Sequence, residues 1–334
     1  MKALVLCDPG RAEMRSVPEP VSSETSVLLK VRMVGFCGSD LNSFRGRNPL
    51  VAFPRIPGHE ISATVVESGG AFTAGTNVTV SPYTNCGQCA SCRRGRPNAC
   101  QFNQTLGIQR DGAATEYIVV PQNRIYAADL TLKELCLVEP LTIGFHAIAR
   151  GRVTADDKVA ILGCGGVGLG AIAASSFRGA MTIGVDVDDA KLQTARTAGA
   201  SHTINSTREN LHQRLADFTD GLGPDVVVEA IGSADTFLAA VEEVAFSGRV
   251  LYIGYIKEAV AFQTQRFVQK ELDILGSRNA LPEDFQEVIR MLEAHRFPVD
   301  EAVSSIIRIE DAPQALASWS ANPSRVKKIM VRLD

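Results

Sequence analysis

Cys86, Cys89, Cys92 and Cys100 fall within fifteen residues in the pattern C-x2-C-x2-C-x7-C. Thiols so spaced can converge on one ion, because two-residue spacers let a looping segment wrap a tetrahedral metal and the fourth ligand returns after a short excursion. The spacing points to a structural zinc held by four thiolates. An iron–sulfur cluster is the competing reading, but bacterial ferredoxin spacing closes with three residues and a proline after the fourth cysteine. Here seven residues intervene and Gln101 follows Cys100. Disulfide pairing in a secreted domain fits poorly. The opening residues carry no signal-peptide pattern, and half of the eight cysteines lie outside the cluster.

A second set of ligand-type residues comes earlier. Cys37 stands in Val34-Gly-Phe-Cys37-Gly-Ser39-Asp40, and His59 with Glu60 in Ile56-Pro-Gly-His59-Glu60. Thiolate, imidazole and carboxylate together make a mixed site, and mixed sites that leave one position open to water or substrate are the catalytic kind. Singly, each has a plain reading: a lone cysteine is usually a small buried apolar residue, and Gly-His-Glu is a turn. Spacing alone does not bring the three together.

The third pattern is Gly163-Cys-Gly165-Gly166-Val167-Gly168, a G-x-G-x-x-G between an apolar strand ending at Leu162 and a helix. The first glycine permits the tight turn, the second admits the backbone to a pyrophosphate, and the third lets helix and strand pack. The helix N-terminus adds partial positive charge. Eighteen residues past Gly168, Asp186 ends the next strand, where a carboxylate can accept from both ribose hydroxyls. This selects NAD over NADP: a 2′-phosphate would face like charge, and Val187-Asp188-Asp189 supplies no arginine to offset it. The plain alternatives are a strand-to-helix turn and a solvated loop acid.

These residues need elements to place them. At 334 residues the chain calls for two domains. Short strands at turn spacing fill the opening part, so an all-β, barrel-like domain is expected there, with the cysteine lobe (about 84–102) inserted as a loop. From 139 to 275 strands alternate with helical stretches, the punctuation of a doubly wound parallel sheet in an α/β fold. The segment 276–334 carries an amphipathic helix near 283–294 and a final strand, Lys328 to Leu333, expected to rejoin the first domain (1–138). Charge is balanced, 34 basic against 37 acidic residues, without the basic runs that track nucleic acid or anionic membranes. No apolar run reaches the roughly twenty residues that span a bilayer. Cytoplasm is the expected location, where thiols stay reduced and available to metal.

G-F-C-G-S-D, P-G-H-E, the four-cysteine lobe, V-E-P-L (138–141) and G-C-G-G-V-G occur in this order over essentially the whole length. In this the chain resembles the zinc-containing medium-chain alcohol/polyol dehydrogenases. Cys-Gly-Ser-Asp, and Glu directly after the ligand His, make it most similar to the sorbitol and threonine dehydrogenase branch. Leu106-Gly-Ile-Gln-Arg-Asp-Gly and Gly276-Ser-Arg-Asn look like members acting on sugar alcohols and sugar acids, such as L-galactonate or hexitol 5-dehydrogenases. The resemblance implies an N-terminal GroES-like β-barrel catalytic domain, a Rossmann NAD-binding domain, and two zinc ions per chain, one catalytic and one structural.

It also implies a catalytic zinc on Cys37, His59 and Glu60, with Glu139 as alternate ligand, Ser39 as proton relay, and Arg278 with Asn279 lining the cofactor crevice. A cation that binds an alcohol's oxygen lowers its pKa from about 15 toward 7, which readies the carbon to lose hydride. Many relatives carry a relay histidine five residues after the cysteine; this chain has Asn42, which cannot titrate. Arg45, Arg47, Arg55 and above all Arg110 could grip a carboxylate or polyol hydroxyls. His146, His202, His212 and His295 read as helix or loop residues without ligand-like company. The expected activity is NAD-dependent oxidation of a secondary hydroxyl of a polyol or sugar acid to a ketone, in a homodimer or homotetramer. L-threonine 3-dehydrogenase or simple alcohol dehydrogenase is the alternative of the same class. An iron–sulfur protein or a non-catalytic nucleotide-binding protein is the alternative of another class.

Overall fold

A computed structural model describes residues 1–67, 71–322 and 326–333. The chain forms two compact units, Met1–Glu139 with Val299–Asp334, and Pro140–Pro298.

The first unit is built on a seven-stranded sheet. Its strands run in the order Ser305–Arg308, Ile329–Arg332, Ser26–Phe36, Glu60–Val65, Asn77–Val80 and Ile125–Ala127, while Tyr117–Pro121 pairs separately with Ser26–Phe36. The long strand Ser26–Phe36 alternates in burial at Val27, Leu29 and Val31, then buries Val34, Gly35 and Phe36 in succession after a register shift between Val31 and Met33. Alternation marks one face on the core; the continuous stretch marks where both faces are covered. Gly35 pairs directly with Glu60. That pairing brings the end of one strand, which runs into Cys37, beside the start of the other, which His59 and Glu60 open.

The second unit holds a six-stranded sheet in the order His202–Asn205, Met181–Asp186, Lys158–Leu162, Val226–Glu229, Arg249–Tyr252, Asp273–Gly276, every pair parallel. This is the 3-2-1-4-5-6 order of a doubly wound dinucleotide fold, whose strand order reverses between Lys158–Leu162 and Val226–Glu229. Central strands read as unbroken apolar runs because both faces are buried, as in Val226-Val-Val. The return to the first unit begins at Val299, later than the 276 expected from sequence. The helix Pro282–Glu293 explains the difference. It buries Phe285, Val288, Met291 and Leu292 in the second unit and is pinned there by Asp284 on His146 (2.8 Å) and Glu287 on Arg178 (2.7 Å). Among the described residues no helix is long and apolar enough to cross a membrane.

Candidate metal centres and dinucleotide cradle

Cys37, His59 and Glu60 converge: one ligand atom from each lies within 4.8 Å of the others. Cys37 precedes the helix Gly38–Phe44, and the turn before His59 depends on Gly58, whose φ of +97° is left-handed and whose Cβ would stand 2.6 Å from Val34 Cγ1. Asp40 ties both segments together. Its Oδ2 accepts the Cys37 N–H (2.9 Å), its Oδ1 accepts the Gly58 N–H (3.1 Å), and Oδ1 lies 3.8 Å from His59 Nδ1. Burial alone would lower the His59 pKa, but Asp40 and Cys37 outweigh it and hold the ring well above the usual imidazole range.

Glu60 is 1% exposed, and its two oxygens are treated differently. Oε1 takes the ammonium of Lys328 at 2.5 Å, while Oε2 is buried with no hydrogen-bond partner among the described residues. Gly35 makes the room: a Cβ there would lie 2.0 Å from Glu60 Oε2. An orphaned carboxylate oxygen beside a thiol and an imidazole costs free energy unless a cation satisfies it. The donor set of S, N and O, with one position left open, fits a catalytic zinc.

Glu139 lies outside that 4.8 Å cluster, on the helix Leu132–Arg150, and is held by a hydrogen bond from the Tyr83 hydroxyl. Burial raises its pKa to about 7, with Glu60 adding to the rise and His59 opposing it. Ser39 Oγ sits 3.5 Å from His59 Nε2. Asn42 occupies the same short helix.

The four lobe cysteines also lie mutually within 4.8 Å, and none of the eight cysteines is disulfide-bonded. Backbone N–H groups of Cys86 and Phe102 point at Cys100 Sγ, and that of Cys89 at Cys86 Sγ, each at 3.3 Å. Such donors favour thiolates. The Ser91 hydroxyl and backbone N–H groups lower the Cys89 pKa to about 5. Four convergent sulfurs cradled by amides suit a closed tetrahedral zinc site.

In the second unit Gly163 adopts φ +100° against Ile231, and a Cβ on Gly168 would fall 1.8 Å from Gly163 O, so strand and helix meet only because both are glycine. Gly165 precedes the helix Gly166–Phe177, and neither Gly165 nor Gly166 would bring a Cβ within 4 Å of another atom. That leaves an open approach to the helix N-terminus, with Val167 in its first turn. Asp186 joins this cradle, its Oδ2 accepting the Cys164 N–H and its Oδ1 the Val187 N–H, each at 2.8 Å. Arg278 and Asn279 follow the strand Asp273–Gly276, past the same carboxyl edge of the sheet.

The arginines separate. Arg45 binds Ser320, and Arg55 pairs with Asp111 at 3.0 Å, so both have structural partners. Among the described residues Arg110 donates to the Pro82 carbonyl (3.2 Å) and its Nε is buried without a partner, while burial and then the charge of Arg124 lower its pKa. Three of the remaining histidines are better partnered than their sequence context indicates. His146 is buried against Asp284, His212 lies 2.9 Å from Glu243, and His202 stacks on Phe218. Sequence reading gave no role to Asp40, Tyr83 or Lys328. Asp40 had a signal, its place three residues after a ligand-type cysteine at a helix start; the other two had none.

Comparison with known proteins matches residues 23–129 to the alcohol dehydrogenase GroES-like domain and residues 166–294 to the zinc-binding dehydrogenase family. The sorbitol dehydrogenase of Halalkalibacterium halodurans is 30% identical over 100% of both chains. The L-galactonate-5-dehydrogenase of Escherichia coli is 30% identical over 90% of this chain and 89% of its own. An alcohol dehydrogenase from E. coli CFT073, solved with NADH, superposes with a TM-score of 0.91 at 26% identity, covering 100% of this chain and 99% of that one. The chain belongs to the zinc-type medium-chain alcohol/polyol dehydrogenase family and is an oxidoreductase of that family.

Proposed function

We propose that this enzyme oxidises a secondary hydroxyl of a polyol or sugar acid to a ketone, with NAD as hydride acceptor. The buried Cys37–His59–Glu60 cluster carries the reading, because its unpartnered Glu60 oxygen calls for a cation where an alcohol dehydrogenase needs one. When bound there, zinc supplies the Lewis acidity that readies an alcohol for hydride loss.

The protein's own groups do the rest. Cys37, His59 and Glu60 fix the metal, and Asp40 holds the two ligand segments in register. Ser39 Oγ, 3.5 Å from His59 Nε2, is placed to receive the substrate hydroxyl's proton. Asn42 cannot carry that proton further, so water, a cofactor ribose hydroxyl or the buried carboxyl of Glu139 takes it outward. Gly163, Gly165, Gly166, Val167 and Gly168 cradle the pyrophosphate, Asp186 accepts from the adenosine ribose hydroxyls, and Arg278 borders the crevice. Cys86, Cys89, Cys92 and Cys100 hold a structural zinc. Arg110 has unspent donors and the local charge for an anionic group, which supports a sugar acid over a neutral alcohol. Eight cysteines outside any disulfide favour the reducing cytoplasm, and family resemblance supports a homodimer or homotetramer.

NADH formation across hexitols, aldonates such as L-galactonate, L-threonine and simple alcohols, with and without zinc removal, tests the reading. Zinc-dependent turnover of a polyol or aldonate is expected. Turnover of L-threonine alone would move the substrate to the amino-alcohol class, and silence across the panel in a zinc-loaded, NAD-binding protein would overturn the substrate assignment.

A further inference from the structure

Lys328 places a cation where the reaction does not need one. Its side chain is 10% exposed, its Nζ lies 2.5 Å from Glu60 Oε1, and it also donates to the Phe36 carbonyl at 3.3 Å. Phe36 adjoins Cys37, so the ammonium is anchored beside two of the three ligand-bearing positions. Glu60 Oε2 stays buried and free, in the space Gly35 leaves open. A carboxylate can clasp a cation through one oxygen or through both, and here one oxygen is already committed.

We infer that Lys328 is a positioning residue that keeps Glu60 a one-oxygen ligand and so preserves an open position on the metal for the substrate's oxygen. The inference rests on the proposed metal reading of Cys37, His59 and Glu60. Catalytic zinc sites work with three protein donors and a fourth, exchangeable position, and a two-oxygen clasp would use up that vacancy. Lysine suits the task because its ammonium is a compact point charge that can engage a single oxygen. Arginine would not, since its planar fork matches both carboxylate oxygens at once and would draw Oε2 away from the metal.

The test uses the full-length enzyme with zinc kept in the four-cysteine lobe and cobalt exchanged into the other site. Visible spectra and chelator competition are recorded for wild type, Lys328→Met and Lys328→Arg. In Lys328→Met the freed oxygen takes the exchangeable position, so the cobalt spectrum changes and no longer shifts when a small ligand such as imidazole is added, as it does in wild type. In Lys328→Arg cobalt affinity falls about 10-fold or more, as when a group that orients a metal ligand is lost. Folded variants that both keep the wild-type spectrum and affinity would overturn the inference. Should Lys328→Met fail to fold, its buried carboxylate left unpaired, the charge-preserving Lys328→Arg decides alone: unchanged cobalt affinity refutes the role. A wild type that takes no cobalt at this site would defeat the metal reading itself, an outcome distinct from unchanged variants.

Discussion

Asp40 Oδ1 faces His59 Nδ1 across 3.8 Å while accepting the Gly58 N–H, and its other oxygen accepts the Cys37 N–H. One buried carboxylate thus fixes both ligand-bearing turns by hydrogen bonds and attracts the imidazole by charge across a gap too long for a hydrogen bond. Groups that orient metal ligands in this way are worth about 10–100-fold in metal affinity. Asp40→Asn, nearly isosteric, should therefore weaken zinc binding at this site by that factor, measured by chelator competition, with the circular dichroism spectrum retained. Unchanged affinity would reduce Asp40 to a helix-start residue.

The four-cysteine lobe gives a separate metal count. Cys92→Ser should lower zinc from two ions per chain to one and make the 84–102 segment sensitive to limited proteolysis. NADH binding should persist, because the glycine cradle lies in the other unit. A brown protein containing acid-labile sulfide would replace zinc with iron–sulfur in this account.

Asp186 presents its carboxylate beside the glycine turn. Hydrogen bonds to a charged group contribute about 1.5–3 kcal/mol, so Asp186→Asn should raise the NADH dissociation constant roughly tenfold or more. It should bind NADPH better than wild type does, since like charge no longer opposes the 2′-phosphate. Fluorescence titration with both dinucleotides reads this directly, and an unaltered ratio would remove Asp186 from ribose recognition.

Glu139 supplies a pH signature in the zinc-free protein. Its folded pKa, about 7, stands above the ordinary 4.5 because burial disfavours the charged form. A raised carboxyl pKa stabilises the fold below about 4.5, and that stability is lost as pH rises through 7. The loss is about 3 kcal/mol by linkage. Wild-type melting temperature should fall across that window, and Glu139→Gln should flatten the fall. Parallel curves for the two proteins would show that Glu139 titrates elsewhere.

What the sequence made legible was local. Four cysteines within fifteen residues must meet once that loop folds, and G-x-G-x-x-G after an apolar strand admits few other structures. The Cys37 and His59 motifs were visible as ligand types, but the strand pairing of Gly35 with Glu60 that unites them was not. Tyr83 and Glu139 are 56 residues apart, Lys328 and Glu60 268 apart, and His146 and Asp284 138 apart. Such buried polar pairs carry no periodic signal, since each partner alone reads as an ordinary residue of its strand or helix. The helix Pro282–Glu293 was legible as amphipathic, but amphipathicity does not say which core the apolar face joins.

The central claim is that the Cys37–His59–Glu60 cluster holds a catalytic zinc. Metal content, NADH binding and NADH formation should be measured together in wild type and His59→Ala, on whichever substrate the panel identifies. Two zinc ions and turnover in wild type, against one zinc, intact NADH binding and no turnover in His59→Ala, is the predicted result. Two zinc ions and undiminished turnover in His59→Ala would contradict it.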